Sequence, residues 1–149
     1  MKKIQSLTMV KSFAAALVAI LLVAGAANAG PLFKGKVNLG SEVRWGKAIL
    51  PAGEYWITLN SPSLPAMVTI QSTNGSQTAF VMPVEIYRSG AKGSNALIIA
   101  RQGNQSTVHA LRLSEVGLTL RYEPQGARNR KAIEEAEAIQ EVPVLAAKK

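Results

Sequence analysis

A chain of 149 residues with no cysteine, one histidine and a net charge of +8 excludes several chemistries at once. No disulfide framework and no acyl-bearing lipoprotein cysteine is available, so an exported domain of this sequence must be held by an apolar core. One histidine without cysteine excludes a conventional zinc site, and nine acids without a single aspartate argue against an oxygen-rich calcium or magnesium cage.

The chain opens with Lys2, Lys3 and Lys11 and no acid, followed by the uncharged apolar run Phe13 to Gly25 and the small-x-small triplet Ala27-Asn28-Ala29. This is the pattern of a secretory signal peptide spanning residues 1–29, with cleavage between Ala29 and Gly30. The run is shorter than the ~20 residues of a membrane-spanning helix. No twin-arginine pair occurs in the leader, which implies export of an unfolded chain with no cofactor loaded beforehand. Cleavage leaves 120 residues carrying 14 bases and 9 acids, enough for one core. Their charge is uneven: +7 from Gly30 to Lys131 and −2 from Ala132 to Lys149. A basic body outside the cytoplasm, periplasmic or extracellular, meets envelope phosphates, acidic glycans and lipid headgroups before it meets nucleic acid. No membrane span is expected after cleavage.

From Phe33 to Tyr122, short runs rich in Val, Ile, Leu, Thr and aromatics alternate with Gly, Pro, Asn and Ser clusters. That spacing predicts an all-β domain over 30–124, a small antiparallel sandwich or barrel of about seven or eight strands. The strands expected are 33–39, 43–50, 54–60, 66–72, 77–87, 95–101, 106–113 and 117–122. Period-two alternation assigns Phe33, Val37, Leu39, Tyr55, Ile57, Leu59, Ala66, Val68 and Ile70 to the core, with Phe80, Met82, Val84, Ile86, Leu118, Leu120 and Tyr122. Lys34, Lys36, Thr58, Thr69, Gln71, Thr119 and Arg121 fall on the wet faces. Asn74-Gly75 predicts a two-residue hairpin turn that pairs 66–72 with 77–87. Pro51 and Gly53 predict a tight turn between two strands. Residues 89–95 are read as a flexible loop.

The stretch Leu50-Pro51-Ala52-Gly53-Glu54-Tyr55, behind a signal peptide, resembles small exported bacterial β-rich proteins of unknown function that carry a Leu-Pro-Ala-Gly-Xaa-Tyr turn. The resemblance covers the leader and about the first third of the chain that follows it. It implies a β domain and export, and carries no functional site.

Residues 125–149 form a charged tail. Ala127 to Glu141 has good helix formers and ends before Pro143, so a helix over 127–141 or a disordered tail is expected. The bases precede the acids, against the helix dipole. Docking of Ile133, Ala136 and Ile139, or contact of Glu134, Glu135, Glu137 and Glu141 with the basic body, would be needed to hold it.

For catalysis the residues offer little. His109 lies in a strand run and reads as a structural histidine, and Ser106 and Glu115 lie near it in sequence without a nucleophile-elbow pattern. No phosphate-binding glycine loop and no marked pair of glutamates occurs. The residues suited to binding are Trp45 and Trp56, which can stack on sugar rings, together with Arg44 and Lys47: a mixed aromatic and basic patch fitted to an anionic glycan. The sequence therefore reads as an exported non-enzymatic binding or interaction module without cofactor or metal, contacting a cell-envelope polyanion or a protein partner. The alternatives are a hydrolase on the same scaffold or a structural subunit assembling by strand addition.

Overall fold

The computed structural model describes residues 30–90, 93–122 and 138–148. They build eleven strands: β1 (Phe33–Leu39), β2 (Val43–Trp45), β3 (Ala48–Leu50), β4 (Gly53–Leu59), β5 (Val68–Ser72), β6 (Thr78–Val81), β7 (Glu85–Arg88), β8 (Ala96–Gln102), β9 (Gln105–Leu113), β10 (Leu118–Arg121) and β11 (Ala138–Ala146). A 3-10 turn, Ser114–Val116, joins β9 to β10. The strands form one nearly closed, barrel-like sheet in the order β3-β2-β9-β8-β11-β1-β4-β5-β6, with β10 beside β9 and β7 beside β10. The fold is all-β, as the spacing of the sequence predicts.

Alternation places the core. Phe33, Val37, Leu39, Tyr55, Ile57, Leu59, Ala66, Val68, Ile70, Leu118, Leu120 and Tyr122 are buried as expected, joined by Trp45, Leu50, Leu97, Leu111 and Leu113. The strand count exceeds the expected eight for three separable reasons. Residues 43–50 fold back on themselves at Gly46-Lys47, with Trp45 opposite Ala48. Gly46 has φ +61° while Lys47 is not in the left-handed region, the signature of a turn with glycine at its first central position. Residues 77–87 break at Pro83, which has no N–H for a ladder; pairing resumes when the Val84 N–H donates to the Arg121 carbonyl at 2.9 Å. The third addition is β11.

Pro83 also corrects the assignment of faces. Val81 and Pro83 point inward before the break and Ile86 after it, so Phe80, Met82 and Val84 are exposed rather than core. Thr119 departs in the other direction: it is buried, its hydroxyl 2.9 Å from that of Ser89.

β5 and β6 pair antiparallel, Val68 with Val81 through Gln71 with Thr78, as Asn74-Gly75 predicts. The turn, however, is four residues long. The Ser72 N–H donates to Gln77 O, only Gly75 takes a positive φ, and Asn74 Oδ1 accepts from the Ser76 N–H and from both flanking serine hydroxyls. The Pro51 turn is locked by Tyr55, whose hydroxyl donates to the Pro51 carbonyl at 2.9 Å. This contact gives the proline-to-tyrosine spacing of the motif a physical purpose.

The described part of the expected tail is a strand. Residues 123–137, including most of the expected helix, lie outside the described residues, but Ala138 to Glu141 is strand rather than helix. β11 runs between β8 and β1, pairing from Ala138 opposite Arg101 to Pro143 opposite Ala96, then from Val144 opposite Val37 to Ala146 opposite Gly35. Pro143, which ends the predicted helix, marks the switch of partner. Val142 and Val144 enter the core, and tertiary pairing overrides the helix propensity of the preceding residues. Gly35 is required at the crossing: a Cβ there would meet the Phe33 ring at 2.7 Å and Val144 at 2.9 Å.

Candidate binding face

β1 and β4 are neighbours although β2 and β3 lie between them in sequence. Their register sets Lys36 opposite Trp56 and Lys34 opposite Thr58 on the outer face. The half-buried Trp56 ring lies under two ammonium groups, Lys34 Nζ at 5.0 Å and Lys36 Nζ at 5.3 Å from the ring centroid. Both distances are within the ~6 Å over which a ring quadrupole attracts a cation. Lys36 also reaches the Glu54 carboxylate at 3.3 Å. Among the described residues Lys34 has no carboxylate within salt-bridge distance. Thr58, Thr69 and Gln71 continue the same outer surface onto β5.

The four residues expected to share a patch do not meet. Trp56 is on the outer face, as its alternation with Tyr55 implies. Trp45 is fully buried, packed edge-on against Tyr122 with ring centroids 5.4 Å apart, so it belongs to the core and cannot stack on a ligand. Burial pushes the Tyr122 phenol well above its ordinary pKa, opposed in part by the neighbouring Trp45 indole, although the two make no hydrogen bond of acceptable geometry. Arg44 is exposed on β2 opposite Thr107 of β9. It lines a cleft of about 340 Å³ with Glu42, Ile49 and the amides of Gln102, Asn104 and Gln105. Lys47 is exposed in the β2–β3 turn. The partners that Trp56 does find, Lys34 and Lys36, carried one legible signal: both are outward at alternate positions of their strand. Only the pairing of β1 with β4 was missing.

His109 occupies a β-bulge: Ile98 pairs with Ala110 and Ile99 with Val108, which leaves His109 as the extra residue of β9. Its carbonyl accepts the Tyr122 N–H at 2.9 Å, while its Nδ1 is buried without a partner. Burial, and secondarily the Arg121 cation, lowers its pKa. Ser106 and Glu115 fall near opposite ends of the nine-residue β9. The seven steps from Ser106 to the end of β9 at Leu113 span about 23 Å at ~3.3 Å per residue, and a triad of these three residues cannot form. No group of three potential metal-ligating side chains occurs among the described residues, and no helix among them is long and apolar enough to cross a membrane.

No family model matches the chain, and no curated protein or solved structure shows significant similarity to it.

Proposed function

We propose that the protein is an exported, non-enzymatic binding module that works in the periplasm or at the cell exterior and holds anionic envelope material on the Lys34–Trp56–Lys36 face. The observation that carries this reading is the convergence of two ammonium groups on one outward tryptophan. Such a site offers an anion the Lys34 ammonium, with Lys36 shared between Glu54 and the ring, beside an aromatic side chain, and the strands beneath hold it in place without a loop to order. The net charge of +5 that remains after cleavage of the leader, 14 bases against 9 acids, gives the same preference at longer range. Arg44 and Lys47 extend the basic surface without touching Trp56.

Co-sedimentation of the purified protein with isolated cell envelope at low and high salt tests the reading. Binding is expected at low salt and should fall as the screening length shrinks from ~10 Å near 0.1 M to ~3 Å near 1 M. The double substitution Lys34→Gln and Lys36→Gln should weaken it more than Arg44→Gln does. Binding indifferent to salt and to both lysines would discard the electrostatic reading in favour of an uncharged protein partner.

A further inference from the structure

The Lys34–Trp56–Lys36 face does not end at β4. The strand registers define two rows across the same outer surface: Lys34, Thr58, Thr69 and Phe80 in one, and Leu145, Lys36, Trp56, Gln71 and Thr78 in the other. One step beyond the Val68–Val81 pair, Met67 and Met82 face outward as well. Phe80 is 61% exposed, Met82 65%, Met67 48% and Leu145 68%. From Tyr55 to Val84 there is no acidic or basic side chain, thirty residues in a chain of net charge +8. At ~4.8 Å between strands, Phe80 stands about 14 Å across the face from Lys34, so cations and apolar side chains fall within one footprint.

We propose that this face docks the protein on an anionic phospholipid surface. Lys34 and Lys36 lie at the level of the headgroup phosphates, Trp56 at the interface, and Phe80, Met82 and Met67 at the acyl boundary. The inference rests on the electrostatic reading above and names its partner. Across the face the chemistries run from Lys34 and Lys36 through Trp56 to Phe80 and Met82, with Thr58, Thr69 and Gln71 between, the order of anionic surface, amphipathic interface and hydrocarbon in a bilayer; Leu145 lies outside that sequence, on the β11 side of Lys36. An anionic polysaccharide would engage the lysines and Trp56 but leave Phe80 and Met82 in water. A second copy of the chain would bring its own Lys34 and Lys36 against these, like charge on like. A lipid surface satisfies both halves of the face.

The test uses the purified protein with vesicles of phosphatidylcholine mixed with phosphatidylglycerol, and with pure phosphatidylcholine vesicles as control. Binding by sedimentation is expected on the mixed vesicles alone, with a blue shift of tryptophan emission that disappears in Trp56→Phe, since Trp45 is already buried. The pair Phe80→Ser and Met82→Ser, and the pair Lys34→Gln and Lys36→Gln, should each lower vesicle affinity by about tenfold or more. All four side chains project from the outer face, so the thermal midpoint of each variant is expected to stay near that of the parent and serves as the folding check. Salt-sensitive binding to cell envelope that survives the Phe80/Met82 change, without binding to the mixed vesicles, would overturn the lipid assignment and leave the polyanion reading standing. Loss of both bindings would overturn both. Dimerisation by light scattering that the Phe80/Met82 change abolishes, with no vesicle binding, would overturn the proposal by assigning the face to a second copy.

Discussion

The two flanks of the barrel share one core but dress their outer surfaces in opposite ways. On the β7-β10-β9-β8-β11 flank, two of the four arginines meet acids across strands: Arg121 reaches Glu85 at 3.1 Å, and Arg112 donates twice to Glu141, at 2.8 and 3.3 Å. The Arg112 hydrogen bonds and charge hold the Glu141 carboxyl below its usual pKa. On the β1-β4-β5-β6 flank, the lysines lean on Trp56, one carboxylate is at hand, and beyond them the surface is uncharged, with Thr58, Thr69 and Gln71 leading to exposed Phe80, Met82 and Met67. Surface ion pairs contribute little to stability, so the difference between the flanks teaches more about contacts with other molecules than about folding. The first flank ties Arg112 and Arg121 to acids and leaves Arg88 and Arg101 outside any ion pair among the described residues, whereas the other sets its two lysines in one surface with exposed Phe80, Met82 and Met67.

β11 is the element through which the flanks are joined, and removing it is the most drastic way to break the comparison. Deletion of residues 138–149 takes Val142 and Val144 from the core and leaves β8 and β1 without their shared neighbour. Loss of the cooperative thermal transition is expected, read by circular dichroism. A truncated chain that still melts cooperatively would show that β8 and β1 can close on each other. The next largest effect separates the two tryptophans. Trp45→Ala empties a fully buried site and should cost about 4 kcal/mol in denaturant unfolding, while Trp56→Ala, which removes an outer-face ring, should cost under ~1 kcal/mol. Equal costs would mean that Trp56 is structural and would weaken its assignment to a binding face.

Much of this was legible from the residues alone, and the failures have identifiable causes. In Phe33 to Leu39 the outward parity is Lys34, Lys36 and Asn38, and in Tyr55 to Leu59 the inward parity is Tyr55, Ile57 and Leu59 with only Trp56 apolar on the other, so the faces come out correctly. Residues 79–84 offer apolar side chains in both parities, Ala79, Val81 and Pro83 against Phe80, Met82 and Val84, so alternation could not choose between them. β11 follows a run of helix formers, and only its pairing with β8 and β1 decides its state. Of the candidate site, the outward Trp56 was readable from its own strand. Trp45 lies in a strand of three residues, too short for alternation to show that it points inward with Val43. The meeting of Trp56 with Lys34 and Lys36 depends on β4 pairing back to β1 past an intervening hairpin, a non-local choice that local pattern does not encode.

A smaller effect sharpens the account of the turn between β3 and β4, on the lysine-bearing flank. Tyr55→Phe keeps the buried ring and removes only the hydroxyl that donates to the Pro51 carbonyl. A loss of about 1 kcal/mol is expected, the usual net worth of one such hydrogen bond. A variant as stable as the parent would show that proline and glycine alone set the turn.

The smallest effect belongs to the ion-paired flank and comes from its one histidine. Burial and the nearby Arg121 cation lower the pKa of His109 below its ordinary 6.5 in the folded protein. The neutral imidazole is therefore the form that the fold accommodates, and the unfolded chain takes up the proton more readily. Its contribution to stability is fully present above pH 6.5, declines as pH falls from there through the folded pKa, and levels off below it. Thermal midpoints measured across this range should fall on acidification, and His109→Gln should flatten that part of the profile while leaving the alkaline side unchanged. A decline of the same slope in the variant would place the pH sensitivity in other groups and leave the bulge on β9 as a purely structural feature.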